Sequence, residues 1–288
     1  MASVKSFPAC AKSITELPSP FRQALVESLS ETEDLKHLIF SPAYSTANFQ
    51  TLASVLCVTD QRWLVALCQD DGNVTVSECS YDSTLLVELT LILLYGQIKI
   101  DFVQDGEARS TALHFNSVMQ HLYSEAIQYI LDAIDGLENI AVSSARPGSA
   151  IIGGWPLKFR NFSIIYMPKK SRLLDGACWK EMRGGFGREL APAAAVLVTN
   201  RHIVVIAEER TLRWFQFRHH SKYGAIMTYF PLNRLADFCI EPHPRLCILQ
   251  LEGYEGHGGE KLDIIFPPDK HEEVSRVMRK SRPDRAPV

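Results

Sequence analysis

The sequence of 288 residues predicts a mainly β fold made of two tandem modules, each followed by an amphipathic helix, with a short helix at the N-terminus. Three observations carry that expectation. Short runs rich in Val, Leu, Ile and aromatic residues, separated by Asp, Asn and Gly, fill most of the chain. Toward the end of each half the apolar spacing lengthens from alternation to helical recurrence. A short strand-turn-strand string also occurs once in each half.

In chain order, a helix is expected from about Pro20 to Ser30. Ser19 can cap it, Pro20 suits a first helical turn, and Phe21, Leu25 and Leu29 share one face. Strand-like runs follow at Leu38 to Phe40, Thr51 to Thr59, Arg62 to Gln69, Val74 to Cys79, Thr84 to Leu94, Ile98 to Val103 and Thr111 to Phe115. Turn chemistry at Thr59-Asp60, Asp71-Gly72-Asn73 and Asp105-Gly106 punctuates them. Met119, Leu122, Tyr123, Ala126, Ile127, Ile130, Leu131 and Ile134 then form the apolar stripe of a helix. Ser117 with Gln120 has capping-box spacing, and Gly136 is suited to stop the helix.

The loop-like stretch 143–149, with Gly153-Gly154 beyond it, divides the chain. Further strand-like runs are Phe159 to Tyr166, Arg172 to Trp179, Ala193 to Thr199, His202 to Glu208, Trp214 to Phe217, Ala225 to Pro231, Ala236 to Ile240, Arg245 to Glu252 and Lys261 to Phe266. Pro267-Pro268-Asp269 opens a last helix, with Asp269 and Glu272 in capping-box spacing and Val274, Val277 and Met278 on its apolar side.

The recurring string runs Val55 to Val65 in the first half and Ala195 to Val205 in the second. In each an apolar strand ends at Thr, Asp60 or Asn200 supplies the turn, a basic residue is expected to stay exposed, and an apolar strand returns. Val58-Thr59-Asp60-Gln61-Arg62 and Val198-Thr199-Asn200-Arg201-His202, followed by further strands and one helix, resemble bacterial pleckstrin-homology-like domains. The resemblance covers roughly residues 36–138 and 155–282 and implies two bent β-barrels, each plugged by its helix. It divides the chain into an N-terminal extension 1–35, a first domain 36–142, a linker 143–154 and a second domain 155–288.

The net charge of −3 is unevenly spread. Residues 1–144 carry 7 Lys and Arg against 18 Asp and Glu, whereas residues 145–288 carry 23 against 15, giving −11 and +8. Such halves either attract one another, within or between chains, or meet different partners. Seven Cys without a C-x-x-C pair fit a reducing compartment, with Cys57, Cys68, Cys79, Cys239 and Cys247 expected to be buried in apolar runs. No signal-like or membrane-spanning apolar stretch is present, so the sequence reads as cytoplasmic.

Motifs for chemistry do not converge. Phosphate-loop, nucleophile-elbow and zinc-ligand spacings are missing from the sequence, and the expectation is a protein that is not an enzyme and has no cofactor or metal. The Gly-rich stretches 184–187 and 253–259 read as loops. One segment is electrostatically distinct. Arg210, Arg213, Arg218 and Lys222, with His219 and His220, alternate with Trp214, Phe215 and Phe217 and form the candidate anion- or partner-binding set. The same alternation also suits a half-buried strand. The expected function is non-enzymatic binding or scaffolding through protein partners or self-association. The alternative is attachment to an anionic membrane surface through the basic half. The acidic first half disfavours nucleic acid, and nothing points to a small-molecule substrate.

Overall fold

The structure is a computed structural model that describes residues 7–45, 50–137, 149–185, 189–208, 224–253 and 261–282. The expected loop 143–149 lies almost wholly outside them. So do the expected strand Trp214 to Phe217, most of the two Gly-rich loops and residues 283–288.

Helix α1 spans Ser19–Ser28. The strands of the first half are β1 (Leu35–Ser41), β2 (Ser54–Thr59), β3 (Arg62–Cys68), β4 (Val74–Ser80), β5 (Thr84–Ile92), β6 (Tyr95–Gln104) and β7 (Glu107–Asn116), followed by α2 (Gln120–Ile134). Two helices, α3 (Ser149–Ile152) and α4 (Leu157–Tyr166), precede the second half. Its strands are β8 (Leu173–Trp179), β9 (Ala194–Thr199), β10 (His202–Ala207), β11 (Ala225–Pro231), β12 (Leu235–Pro242), β13 (Cys247–Gly253) and β14 (Lys261–Phe266), and α5 (His271–Arg279) closes it. Two short ribbons, Tyr44–Ser45 with Gln50–Thr51 and Met182–Arg183 with Glu189–Ala191, lie outside the larger sheets.

The expected barrels are not formed. The fold is mixed α/β with several open antiparallel sheets, and no sheet among the described residues closes on itself. A five-stranded sheet holds Ala9–Cys10, β1, β2, β3 and β4 in that order. A seven-stranded sheet runs β7-β6-β5-β11-β10-β9-β8, and β12-β13-β14 form a third. The physical reason is the partner that β5 takes. Its outer edge pairs antiparallel with β11 from the other half, from Ala225 opposite Leu91 to Tyr229 opposite Val87. That ladder satisfies the backbone groups that a closing strand would otherwise meet.

Burial on both faces explains the continuous apolar runs. In β2, Val55 and Cys57 face α1, while Leu56 and Val58 face the large core shared with α2 and α4. In β10, Val204 and Ile206 join that same core, and Ile203 and Val205 pack with α5 and β13 on the other side. The large core draws residues from both halves, from Ile39 to Tyr229.

Several local expectations need correction. Phe159 to Tyr166 is helical because Phe159, Ser163 and Tyr166 bury one face at helical spacing. Pro18, not Ser19, precedes α1, without a side-chain cap. Ahead of α2 the cap is Asn116, whose side chain accepts from the Val118 N–H at 3.1 Å, in place of the Ser117/Gln120 box. Lys270 precedes α5 and no side chain caps it, so the Asp269/Glu272 box is not formed. Cys57, Cys79 and Cys247 are buried as expected, but Cys68 is half-buried and Cys239 is exposed on the edge strand β12.

The two turns of the recurring string share one hydrogen-bond pattern. Thr59 Oγ1 accepts from the N–H groups of Gln61 and Arg62, and Thr199 Oγ1 from those of Arg201 and His202. Asp60 accepts from Asp34 N–H at 2.9 Å, and Asn200 from Arg172 N–H at 2.7 Å. The basic residues are not left in solvent, however. Arg62 pairs with Glu33 and Glu78, and His202 is 1 % exposed.

Candidate binding surface

All six residues expected to bind an anion or partner, Arg210, Arg213, Arg218, His219, His220 and Lys222, lie outside the described residues. What is described is where their segment leaves and rejoins the fold. Lys158 Nζ on α4 lies 3.0 Å from Glu208 Oε1 and donates to the Gly224 carbonyl at 3.0 Å, fixing both ends.

Helix α4, which carries Lys158, buries one face and leaves the other in solvent. Its inner face anchors through Phe159, Ser163 and Tyr166, and the Tyr166 carbonyl accepts from the Tyr229 hydroxyl at 2.9 Å. The outer face presents Leu157, Ile164 and Ile165, which are 66 %, 58 % and 61 % exposed. Exposed apolar side chains clustered this way mark interaction surfaces. Residues 139–174 contain no Asp or Glu, and Arg160 and Lys169 are exposed beside the apolar stripe. A groove of about 200 Å³ runs between Gln120, His121, Glu125 and Gln128 on α2 and Ile165 and Lys169 at the end of α4.

A second exposed apolar group sits at the β5–β6 turn. Leu93 and Leu94 are 70 % and 50 % exposed, and Val118, just after β7, is 54 % exposed. Leu93 has φ +51°, a conformation that bulky L-residues avoid. The turn is pinned from both carbonyls. The Ser117 hydroxyl donates to Leu93 O, and the Ser117 N–H donates to Leu94 O at 3.0 Å.

The most strongly shifted acid–base pair lies elsewhere, at a closed joint between the halves. His202 Nε2 is 3.7 Å from Asp135 Oδ2 at the end of α2, and it has no hydrogen-bond partner among the described residues. Burial and the neighbouring Arg201 charge push His202 down to about 3. Burial, reinforced by Asp132 and opposed by Arg201 and Arg234, pushes Asp135 up to about 6. Lys170 completes the joint, donating to Leu137 O at 2.6 Å and pairing with Asp132 at 3.1 Å. These cations and Asn233, which donates to Ile134 O at 3.4 Å, meet the negative end of α2. A small cavity of about 120 Å³ is lined by Glu88, Lys99, Asp101, Arg234 and Lys261, with Lys99 Nζ 2.7 Å from the buried Asp101 carboxylate. A space of that size and polarity suits a few waters.

Among the described residues no group of three or more His, Cys, Asp or Glu is arranged to hold a metal ion, and no helix is long and apolar enough to cross a membrane. The exposed leucine turn was hidden in the sequence inside the expected strand Thr84 to Leu94. The break between two apolar runs at Leu93-Leu94 carries no Gly, Asn or Asp to announce it. The α4 surface was hidden by aromatic and β-branched residues that suggest a strand. Its one available signal was Trp155-Pro156 ahead of the helical recurrence Phe159, Ser163 and Tyr166. No family model matches the chain, and no curated protein matches it.

Proposed function

We propose that this chain is a non-catalytic binding protein that acts by protein–protein contact, beginning with a second copy of itself. The outer face of α4 carries the reading: Leu157, Ile164 and Ile165 are exposed within a stretch rich in Lys and Arg and free of acid. Like charges disfavour α4 against its own copy. The first half offers the complement at the end of α1, where Val26 is 61 % exposed beside the exposed acids Glu27, Glu31, Asp34 and Asp60. A contact between different patches is head-to-tail, so it builds rings or open chains of copies. The non-catalytic part is supported by the burial of one acid–base pair, since His202 and Asp135 are walled into a joint at 1 % and 7 % side-chain exposure. Seven unpaired cysteines fit a reducing compartment, and we place the protein in the cytoplasm.

Light scattering across concentration tests this. Association that weakens with salt and is lost in Ile164→Asp is expected. A monomer at every concentration in low salt overturns the reading, as does an unchanged mass in the variant. A second reading, attachment to an anionic membrane surface, is favoured by a different feature, the exposed leucine turn between β5 and β6.

A further inference from the structure

Strand β4 closes one side of the five-stranded sheet, and no described strand pairs with its outer edge. Which of its backbone groups face outward follows from β3. The Cys68 N–H donates to the Ala53 carbonyl, so the even-numbered residues of β3 turn their backbone groups toward β2. Trp63, Val65 and Leu67 therefore bond β4, through Cys79, Ser77 and Thr75. That leaves the N–H and C=O of Val76 and Glu78 pointing away from the sheet, and no hydrogen bond from a described residue reaches them.

The other described edges carry the features that keep sheets from pairing onward. Strand β12 is bulged and ends at Pro242, β8 is bulged, and Ala9–Cys10 is two residues long. Strands β7 and β14 hold exposed charges of both signs. By contrast, the seven residues of β4 pair with β3 in unbroken register and include no Pro, Lys or Arg. Its one charge, Glu78, is drawn onto Arg62 of β3 at 2.9 Å.

The ends of this edge are acidic. Residues 69–83 contain four Asp and Glu and no Lys or Arg, and Asp70, Asp71 and Asp82 are exposed. The cations that approach, Arg62 and Arg234, are engaged by Glu33 and Glu78 and by the Tyr81 and Thr84 carbonyls. Such a distribution rejects a second copy. Antiparallel pairing of β4 with its own copy sets Asp70 and Asp71 of each chain beside Asp82 of the other, acid against acid. The same acids attract an extended segment with cations toward its ends. Main-chain hydrogen bonds supply the affinity of an added strand, and flanking side chains supply its selectivity.

We propose that β4 is a docking edge for an extended, cationic segment of a partner protein, which bonds Val76 and Glu78 and adds a strand to the sheet. The edge shares no residue with α4, so it stands whether or not copies of the chain associate.

Fluorescence anisotropy of the full chain with a labelled peptide tests this. The probe matches β4 in its seven residues and alternates valine and lysine, and its counterpart carries glutamate for lysine. The lysine peptide should bind on the order of tenfold more tightly than the glutamate peptide, with the gap shrinking in salt. Amide exchange should slow at Val76 and Glu78 on binding. Val76→Pro removes one outward N–H and sets a ring on the edge, a place where strands tolerate Pro. That variant should stay folded and lose on the order of tenfold or more in affinity. Asp70→Asn/Asp82→Asn leaves the backbone edge intact and should narrow the gap between the two peptides, which decides the matter even if the proline variant does not fold. No binding of the lysine peptide, equal binding of both peptides, or unchanged exchange at Val76 and Glu78 overturns the proposal. So does undiminished binding by folded Val76→Pro, or a gap unchanged by the aspartate variant. A mass that rises with concentration in Ile164→Asp but not in Ile164→Asp/Val76→Pro puts a second copy on the edge and overturns it as well.

Discussion

Replacing either member of the His202–Asp135 joint should uncover a steep pH dependence that the wild-type chain largely hides. His202 is held at about 3 against an ordinary 6.5, so between those values the unfolded chain binds a proton that the folded chain refuses. Its contribution to stability is therefore present above pH 6.5 and is lost as the pH falls. Between pH 7 and about pH 4.5 the loss is about 2–3 kcal/mol, at ~1.4 kcal/mol per pH unit. Asp135 is held at about 6 against 3.8, so the folded chain takes up a proton before the unfolded one does. Its contribution rises as the pH falls through 6, by about 2 kcal/mol over the same interval. The two slopes nearly cancel. Asp135→Asn keeps only the histidine slope and should lose about 2–3 kcal/mol between pH 7 and 4.5 relative to its own neutral value. His202→Gln keeps only the aspartate slope and should gain over that interval, relative to wild type. Urea unfolding across pH reads both, with Asp132, Lys170, Arg201 and Arg234 common to all three chains. Parallel pH profiles for the two variants would refute the assignment of opposite proton demands to this pair.

Other consequences follow from particular contacts. Gly96 lies against Phe115, where a Cβ would come within 2.5 Å of the ring. Gly96→Ala should therefore destabilise by about 1–3 kcal/mol in thermal unfolding, as overpacking of a closed core does. Arg62 donates to Glu33 at 2.7 Å and to the Ser28 carbonyl at 2.6 Å, and the Glu33 side chain is only 3 % exposed. Arg62→Ala should cost about 3 kcal/mol at neutral pH by removing the cation beside that carboxylate, which keeps only the Thr59 hydroxyl and the Ser30 N–H. Because hydrogen bonding from Arg62 holds Glu33 below the usual carboxylate range, the cost should shrink as the pH falls and Glu33 takes up its proton.

The strands were legible in the sequence because apolar alternation and turn residues are local signals. Ala225 to Pro231 and Lys261 to Phe266 appear with the boundaries that the alternation implies. The stripe from Tyr123 to Ile134 was legible for the same reason, its buried residues recurring at helical spacing. What failed was non-local or ambiguous. Nothing in Thr84 to Ile92 announces that its edge will pair with Ala225 to Tyr229 and not close on its own half, because ladder partners are chosen by three-dimensional placement. Phe159 to Tyr166 contains both spacings, with Phe162 and Ile164 supporting alternation. Burial of Phe159, Ser163 and Tyr166 decides it. The candidate site was legible only as a charge pattern. The exposed apolar surfaces that flank the basic segment's ends were not, since exposure depends on what the fold leaves uncovered.

The β5–β11 ladder gives the two proposed surfaces a common frame. Val87, Leu89 and Leu91 of β5 face the same core as Tyr229, Met227 and Ala225 of β11, opposite them in the register. A slip of one residue would turn Glu88 and Thr90 into that core, so the pairing is fixed by burial and not by the turns at its ends. The leucine turn therefore stands at a set distance from Gly224, and Lys158 ties Gly224 and Glu208 to α4. The apolar tip, the entry and exit of the basic segment and the exposed helix are thus held by core packing, which makes them a single rigid presentation. Weakening that junction should therefore disturb both surfaces together, whereas Ile164→Asp should impair self-association alone and leave the fold intact.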